Sequence, residues 1–401
     1  QANEIYKKLI NQKIYTYELL ISYGLFCKEI NNLKIAKNLF ILSIKKYPLK
    51  INSYILLAEI LRKENKVNDA IKTLSAAKKI EKFNSEIDYN LSIIFKTIKS
   101  FNEAILSIDS AINQKPDNKT YQILKADILV ETFKNEEAKK LLLNLKLSKD
   151  SILFFQREIL LSKIFVNQKQ YRLAEGVLLE LRKLFSKERI LYLNLSDLYF
   201  KNKELKKGIL ILKEGIKIFP KFIPLRFNLG IMYRNIGLIE SSIKTHLEIL
   251  LDDQFNSNSY YELSTMYNFS NHNEQLKTLF DVDIGNLSQK EKIYFCYSKA
   301  NAYHNIKDYK KSAYFLKIAN DEKLKIQPSD IQRKLNNGEH FRNLEIDQNL
   351  NIEKVKDSNR YLFIVGMPRC GSTLLESILS LNPEVKDLGE VLFLEESLQK
   401  S

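Results

Sequence analysis

Small residues recur at a fixed spacing along most of the chain, separated by large apolar residues. Aligning helix-sized segments by the small residues gives nine units, which begin at residues 17, 51, 85, 119, 155, 189, 223, 257 and 293. The period is 34 residues, with two-residue slips before 155 and 293. Each unit is long enough for two amphipathic helices, so the pattern predicts a stack of helix pairs, numbered here units 1 to 9.

The small residues fall at two positions of each unit, where they would let the two helices approach closely. Position 8 holds Gly24, Ala58, Ser92, Ala126, Ser162, Ser196, Gly230, Ser264 and Ala300, and position 20 holds Ala36, Ala70, Ala104, Ala138, Ala174, Gly208, Ser242 and, in unit 9, Ser312. Large residues at position 24 fill the space around them: Phe40, Leu74, Ile108, Leu142, Leu178, Leu212 and Leu316. Proline ends the second helix at position 32 of three units, at Pro48, Pro116 and Pro220. Unit 8 is irregular after Tyr267.

This period and order of residues resemble the tetratricopeptide repeat. The resemblance covers residues 17–326, and the same phase places Ala2, Tyr6 and Leu9 at positions 20, 24 and 27 of an earlier unit. It implies a tetratricopeptide-repeat α-solenoid, with a long groove that can hold a peptide ligand. We therefore expect a solenoid domain over residues 1–326.

The C-terminal part of the chain has a different pattern. Residues 327–358 show no clear long period and are interpreted as a connecting segment. An apolar strand at 361–365, a loop at 366–373 and a helix at 374–381 are predicted next. Backbone N–H groups at such a helix start bind anions. The loop approaches the spacing G-x-x-x-x-G-K-[ST], but Ser372 stands at the lysine position, which argues against a kinase-like triphosphate site.

The loop Pro368-Arg369-Cys370-Gly371-Ser372-Thr373-Leu374 resembles that of sulfotransferases, which reads P-[RK]-[SA]-G-[ST]-[ST]-L and binds the 5′-phosphosulfate of 3′-phosphoadenosine-5′-phosphosulfate (PAPS). Cys370 is the one departure, and we interpret it as a tolerated small residue. The resemblance implies that Cys370, Gly371, Ser372 and Thr373 hold the phosphate and that Arg369 neutralises charge during transfer, with PAPS as co-substrate and no metal. Residues 287–292 and 309–314 also resemble the repeat before the catalytic domain of bacterial tetratricopeptide-repeat sulfotransferases.

A catalytic base is the remaining requirement. Glu390 lies 21 residues after Arg369 and follows Asn382-Pro-Glu-Val385. Tyrosylprotein-type sulfotransferases, which this segment resembles, place a catalytic glutamate after a similar stretch. Many cytosolic sulfotransferases use a histidine instead, but residues 361–401 contain none. Glu390 is therefore the candidate base, with a solvated carboxylate as the alternative.

These patterns predict a mainly α fold. A tetratricopeptide-repeat α-solenoid comes first, and residues 359–401 form the N-terminal part of a P-loop-like α/β sulfotransferase domain. The chain starts inside a helix pair and ends soon after one strand, loop and helix, so we expect a fragment cut at both ends that is inactive alone. The predicted function is sulfuryl transfer from PAPS to a hydroxyl or amine of a protein, carbohydrate or small molecule. The alternative is a non-enzymatic protein-interaction scaffold.

Composition and charge limit which binding partners and which cellular compartment can be expected for the protein. The net charge is +15, but 52 of the 63 basic residues are lysines spread along the chain, so no nucleic acid partner is expected. No apolar run approaches the roughly 20 residues of a membrane span. The cysteines, Cys27, Cys296 and Cys370, and the four histidines lack metal-ligand spacing. Separated cysteines favour a reducing compartment, and a cytoplasmic location is predicted.

Overall fold

A computed structural model describes residues 15–267, 274–326, 372–382 and 384–385, together with positions 4, 6 and 8. Contacts divide the chain into two compact units, Gln1–Pro328 and Ser329–Ser401. The junctions predicted at 326 and 358 remain predictions, because residues 327–371 lie outside the described part. The strand predicted at 361–365 lies there too.

In the described part of the first compact unit, nine helix pairs follow one another from residue 17 to residue 326. In chain order they are α1 Tyr17–Glu29 and α2 Leu33–Lys46; α3 Asn52–Lys63 and α4 Val67–Ile80; α5 Ser85–Thr97 and α6 Phe101–Gln114; α7 Lys119–Glu131 and α8 Asn135–Leu143; α9 Ile152–Asn167 and α10 Tyr171–Leu184; α11 Arg189–Lys201 and α12 Leu205–Ile218; α13 Ile223–Asn235 and α14 Ile239–Asp252; α15 Ser257–Met266 and α16 Glu274–Asp281; and α17 Gln289–Asn305 and α18 Tyr309–Ile326. The predicted units and the predicted helical solenoid are confirmed.

Each pair has a first helix, called here the A helix, and a second, the B helix. Every B helix from α2 to α14 packs against the A helix of its own unit and against the next A helix. Successive A helices of units 2 to 7 also contact one another. A helices of neighbouring units therefore run side by side in the same direction, and all connections of one kind lie along the same edge of the stack.

The turn from A to B helix uses left-handed backbone at position 15. Seven non-glycine residues and one glycine adopt it: Asn31, Asn65, Lys99, Phe133, Lys169, Lys203 and Lys307, with φ between 58° and 66°, and Gly237, with φ 81°. In the same turns the position-16 N–H donates to the position-11 carbonyl at 2.7 to 2.9 Å. This is the Schellman arrangement, which satisfies carbonyls left open at a helix end.

Asparagine side chains begin several A helices. Asn84 accepts hydrogen bonds from the N–H groups of Glu86 and Ile87, at 3.0 and 3.1 Å. Asn118 accepts from the N–H groups of Thr120 and Tyr121 at the start of α7, and Asn256 accepts from the N–H of Ser259 at the start of α15. All three asparagines stand at position 34, so in these three units the last residue caps the next helix.

The closest contact within a pair joins position 8 to position 24. A Cβ atom on Gly24 would lie 2.3 Å from Cε1 of Phe40, and one on Gly230 would lie 2.5 Å from Nε2 of His246. These two units carry an aromatic or imidazole ring at position 24. Units with alanine or serine at position 8 carry leucine or isoleucine at position 24, or, in unit 8, no regular position 24. The two positions are therefore matched in volume.

Three features depart from the regular repeat. The slips before 155 and 293 coincide with long A helices, since α9 begins at Ile152 and α17 at Gln289. In unit 8, α15 ends at Met266, residues 268–273 lie outside the described part, and the described part of α16 is Glu274–Asp281. Leu316 at position 24 of unit 9 is exposed, unlike its buried equivalents, because no further A helix of the described chain packs on α18.

Other predicted details are also confirmed. The helices that precede Pro48, Pro116 and Pro220 each end two residues before the proline. Tyr6 is helical and its ring stacks on Tyr23 with a centroid distance of 4.8 Å, as expected for position 24 of an earlier unit. Ala2 and Leu9 lie outside the described residues.

Gly24→Ala tests the matching of positions 8 and 24. We expect it to lower the free energy of unfolding by about 1–3 kcal/mol, because the added Cβ overpacks against Phe40. The double variant Gly24→Ala/Phe40→Leu, which copies Ala58 and Leu74 of unit 2, should recover much of that loss. The measurement is urea unfolding followed by circular dichroism.

Gly176→Ala is the matched control, since a Cβ on this α10 glycine meets nothing within 4 Å. It should be neutral or stabilise by up to about 1 kcal/mol through helix propensity. Equal destabilisation by Gly24→Ala and Gly176→Ala would show that the close contact has no special role.

Candidate functional site

The described part of the C-terminal unit contains one helix, α19, which spans Ser372–Leu379. It begins two residues before the predicted start at 374, so Ser372 and Thr373 belong to its first turn rather than to the loop. The first N–H groups of a helix have no intrahelical acceptor, and the helix dipole makes that end partially positive. The backbone at Ser372 and Thr373 is therefore suited to an anion.

The remaining predicted site residues cannot be placed in this arrangement. Arg369, Cys370, Gly371 and Glu390 lie outside the described residues. Their predicted roles, and those of the Ser372 and Thr373 side chains, stay predictions.

After α19 the chain turns at Asn382. The Asn382 side-chain oxygen accepts from the N–H of Glu384 at 3.0 Å, and its carbonyl accepts from the N–H of Val385 at 2.9 Å. Leu375, Ile378 and Leu381 follow one another at three-residue spacing and are exposed, Leu381 at 82%.

A second candidate site lies along the A helices of the solenoid, where charged side chains link neighbouring units. Lys28 at position 12 of unit 1 contacts Glu59 at position 9 of unit 2, at 2.5 Å. Lys96 and Asp127 repeat this link between units 3 and 4. Between units 7 and 8, Arg234 at position 12 contacts Glu262 at position 6, at 2.5 Å. These pairs fix the spacing of the A helices.

A recess of about 130 Å³ opens between the A helices of units 6 and 7. Six residues line it: Ser196, Asp197 and Phe200 from α11, and Asn228, Ile231 and Met232 from α13. The Asn228 amide donates to Ser196 Oγ at 3.5 Å, and Asp197 pairs with Lys201 at 3.0 Å. Phe200 is 39% exposed. The recess combines an apolar surface with polar groups at its edge, which suits one apolar side chain of a peptide.

Two buried charged residues at unit 8 were not identified from the sequence, and neither was a third, Asp88 of unit 3, which pairs with Lys78. Glu262 is 8% exposed, and burial raises the pKa of its carboxyl while Arg234 opposes that rise. Lys299 is 4% exposed, and its ammonium donates to the main-chain oxygens of Phe280 and Val282, at 3.2 and 2.8 Å. Burial lowers the pKa of Lys299. Both residues connect the irregular unit 8 to its neighbours, so we assign them to structure.

Comparison with protein families concerns the C-terminal part of the chain. A model of the sulfotransferase family (Sulfotransfer_3) matches residues 362–401, which include the loop and α19. The C-terminal segment is therefore similar to the sulfotransferase family, and it follows a solenoid of helix pairs that has the 34-residue tetratricopeptide period. The match spans the predicted site residues Arg369, Cys370 and Glu390 as well as the described start of α19.

Comparison with solved structures returns repeat proteins. A tetratricopeptide repeat protein from Parabacteroides merdae aligns over 65% of this chain and 97% of its own, with 16% identity and a TM-score of 0.49. The APC/C hetero-tetramer Cut9–Hcn1 aligns over 79% and 58%, with 13% identity and a TM-score of 0.44. YrrB, a tetratricopeptide-repeat protein with an unusual peptide-binding site, aligns over 46% and 95%, with 15% identity and a TM-score of 0.34. No curated protein matches the sequence. The repeat assignment rests on the period and the helix pairs described above.

The described residues were also searched for metal ligands, for cysteine thiols and for membrane-spanning helices. Among described residues, no three histidine, cysteine or acidic side chains are grouped as metal ligands would be. Cys27 and Cys296 are buried thiols. None of the described helices has both the length and the apolar character of a membrane span.

His246, predicted at a core position, is fully buried in unit 7. Its ring meets Phe227 edge-on with a centroid distance of 5.3 Å, and neither ring nitrogen has a hydrogen-bond partner among the described residues. Burial, aided by the charge of Arg234, lowers the pKa of His246 from 6.5 to about 4. The imidazole is therefore neutral in the folded protein at neutral pH.

This burial predicts acid sensitivity. The unfolded chain binds the proton more readily than the folded one, so stability is complete above pH 6.5 and falls as the pH drops towards 4. At about 1.4 kcal/mol per pKa unit, the loss approaches about 3 kcal/mol. His246→Leu, which restores the usual position-24 residue, should flatten this part of the curve of unfolding free energy against pH. The same slope in the variant would show that other groups cause the loss.

Proposed function

We propose that the full-length protein containing this chain transfers a sulfuryl group from PAPS to an acceptor hydroxyl or amine, with the solenoid as a platform for the acceptor or a partner. One observation carries the proposal. A helix begins at Ser372, directly after the motif Pro368-Arg-Cys-Gly, inside the segment that the sulfotransferase family model matches. A helix N-terminus at that place supplies the backbone donors that a 5′-phosphate requires.

The proposed reaction needs positioning and charge stabilisation more than covalent chemistry, by analogy with phosphoryl transfer. The sulfur–oxygen bond to the 5′-phosphate breaks while a bond forms from sulfur to the acceptor atom. Charge grows on the phosphate oxygens that leave, where Arg369 and the N–H groups of 370–373 would stabilise it. The acceptor proton goes to a base, the role proposed for Glu390.

Ser372, the first residue of α19, separates this chemistry from that of a triphosphatase. A P-loop lysine contacts the β- and γ-phosphates, and the following Ser or Thr contacts Mg²⁺. Ser372 cannot supply that positive charge. The sequence thus favours a donor with a single phosphate in the loop and argues against the kinase-like alternative.

A second candidate function is peptide binding without catalysis. The recess between α11 and α13 favours it, since Phe200 and Ile231 offer an apolar contact beside the Asn228 amide. A full-length protein that binds a peptide but shows no rise in melting temperature with PAPS would support this alternative over the transferase.

Arg369→Ala tests the transferase most simply. We expect kcat/KM for sulfate transfer by the full-length protein to fall about a hundredfold or more, because a preorganised charge in the transition state is lost. Arg369→Lys retains the positive charge, so its kcat/KM should fall less than that of Arg369→Ala. A decrease of less than about tenfold for Arg369→Ala would refute the assigned role.

Glu390→Gln tests the base. The expected result is a loss of about a hundredfold or more in kcat with little change in PAPS affinity, since a general base acts on the acceptor and not on the donor phosphate. The dependence of kcat on pH should also lose its acidic limb. Unchanged kcat would assign Glu390 to the solvated surface, and Glu384→Gln in the turn at Asn382 is the matched control.

A further inference from the structure

The two edges of the solenoid differ in charge. The inter-repeat edge is defined here by the B-to-A connections of units 1 to 6: 44–50, 78–84, 112–118, 146–154, 182–188 and 216–222. It carries 14 lysines and arginines against 4 aspartates and glutamates. The turn edge, defined by 29–35, 63–69, 97–103, 131–137, 167–173 and 201–207, carries 11 against 8. The net positive charge is concentrated on one edge.

Most cations of the inter-repeat edge have no acidic partner. Three of them form ion pairs: Lys78 with Asp88, Arg182 with Glu214, and Lys183 with Glu180. The other 11 form no ion pair in the described part of the chain and are exposed: Lys45, Lys46, Lys50, Lys79, Lys82, Lys115, Lys146, Lys149, Lys187, Lys217 and Lys221. Their charge is available to an external partner.

Two general causes of surface lysine do not explain the asymmetry. Cations are favoured in the last turn of a helix by the helix dipole. However, A helices end at the turn edge just as B helices end at the inter-repeat edge, so this preference acts on both. The lysine-rich composition of the chain also acts on both edges. Neither cause predicts a difference between them.

The charged edge has a definite end. The next connection, 250–256, contains no lysine or arginine and two aspartates. Asp252 contacts Arg226 at 2.6 Å, and Asp253 accepts from the N–H of Phe255 at 3.3 Å and from the Asn256 amide at 3.0 Å. The basic edge therefore extends along units 1 to 6 only, as a linear feature.

We propose that the inter-repeat edge of units 1 to 6 binds an acidic polysaccharide along its length. A row of unpaired cations attracts an extended polyanion. The polysaccharide would also be the sulfuryl acceptor, through its hydroxyl groups, and this role rests on the function proposed above. The binding surface itself does not depend on that function.

The side chains favour a glycan over a nucleic acid. Of the 14 cations 13 are lysines, which act as point charges, while arginine is the usual residue for phosphate and base recognition. Lysines also lie over rings at this edge: Lys46 over Tyr15 at 4.6 Å, and Lys82 over Phe83 at 5.6 Å. In each contact the ammonium lies over one face of the ring, which reduces the ring surface open to the base stacking that single-stranded nucleic acid binding uses.

Two variants with equal charge changes test the surface. The edge variant replaces Lys50, Lys115, Lys149, Lys187 and Lys221 by glutamine. The control variant replaces Lys34, Lys99, Lys134, Lys169 and Lys203 on the turn edge, which are exposed and form no ion pair in the described chain. Both sets come from units 1, 3, 4, 5 and 6. Circular dichroism and melting temperature establish that both fold.

Binding of fluorescent polygalacturonate by the full-length protein is measured at low and high salt, without PAPS. We expect binding that weakens at high salt. The affinity should fall by about tenfold or more in the edge variant and by less than about threefold in the control variant. Equal losses in both variants, or no binding, would overturn the proposal. Stronger binding of oligo-dT or of phosphatidylglycerol vesicles than of polygalacturonate would overturn the glycan assignment.

The result is separable from the transferase proposal. Arg369→Ala should bind polygalacturonate like the unmodified protein. Polysaccharide binding without any sulfate transfer would contradict the proposed function and support the surface. Sulfate transfer to a small acceptor without polysaccharide binding would contradict the surface and support the function.

Discussion

The close approach of the two helices of each pair is the constraint on which the solenoid depends. Small residues at positions 8 and 20 bring the helices together, and the side chain at position 24 fills the remaining space. Gly24 faces Phe40 and Gly230 faces His246, and neither glycine has room for a Cβ. Because interiors pack to near-crystalline density, a larger ring at one position requires a smaller residue at the other. Where the ring is an imidazole, the same fit excludes a hydrogen-bond partner.

The regular pairs then determine the surfaces. A helices that lie side by side give one face of linked polar residues, where Lys28 meets Glu59 and Arg234 meets Glu262. Connections of one kind share an edge, so a modest bias in each unit becomes a continuous charged surface. Packing within the pair and recognition at the edge are separate properties of the same 34 residues.

Much of the fold could be predicted from the sequence, because positions 8, 20 and 24 report directly on packing. The left-handed turn at position 15 could not, since Phe133 and four lysines adopt it as readily as Asn31, Asn65 and Gly237. The starts of α9 and α17 were also missed, because the slips fall in segments without a small-residue marker. The buried charge of Lys299 is absent from the repeat pattern, because its carbonyl partners Phe280 and Val282 belong to the irregular unit 8.

The candidate site could be predicted only in part. The anion-binding element is a helix start, which the sequence marks through Gly371 and the apolar run after it, and the structure has a helix from Ser372. The roles of Arg369 and Glu390 depend on where their side chains point relative to the donor and acceptor. Spacing along the chain does not contain that information.

We propose that the loop before α19 binds a phosphosulfate donor and not a nucleoside triphosphate. Calorimetric titration of the full-length protein with PAPS and with ATP, each with and without Mg²⁺, distinguishes the two donors. We expect PAPS binding that does not need Mg²⁺ and is stronger than ATP binding under both conditions. Tighter, Mg²⁺-dependent binding of ATP would contradict it.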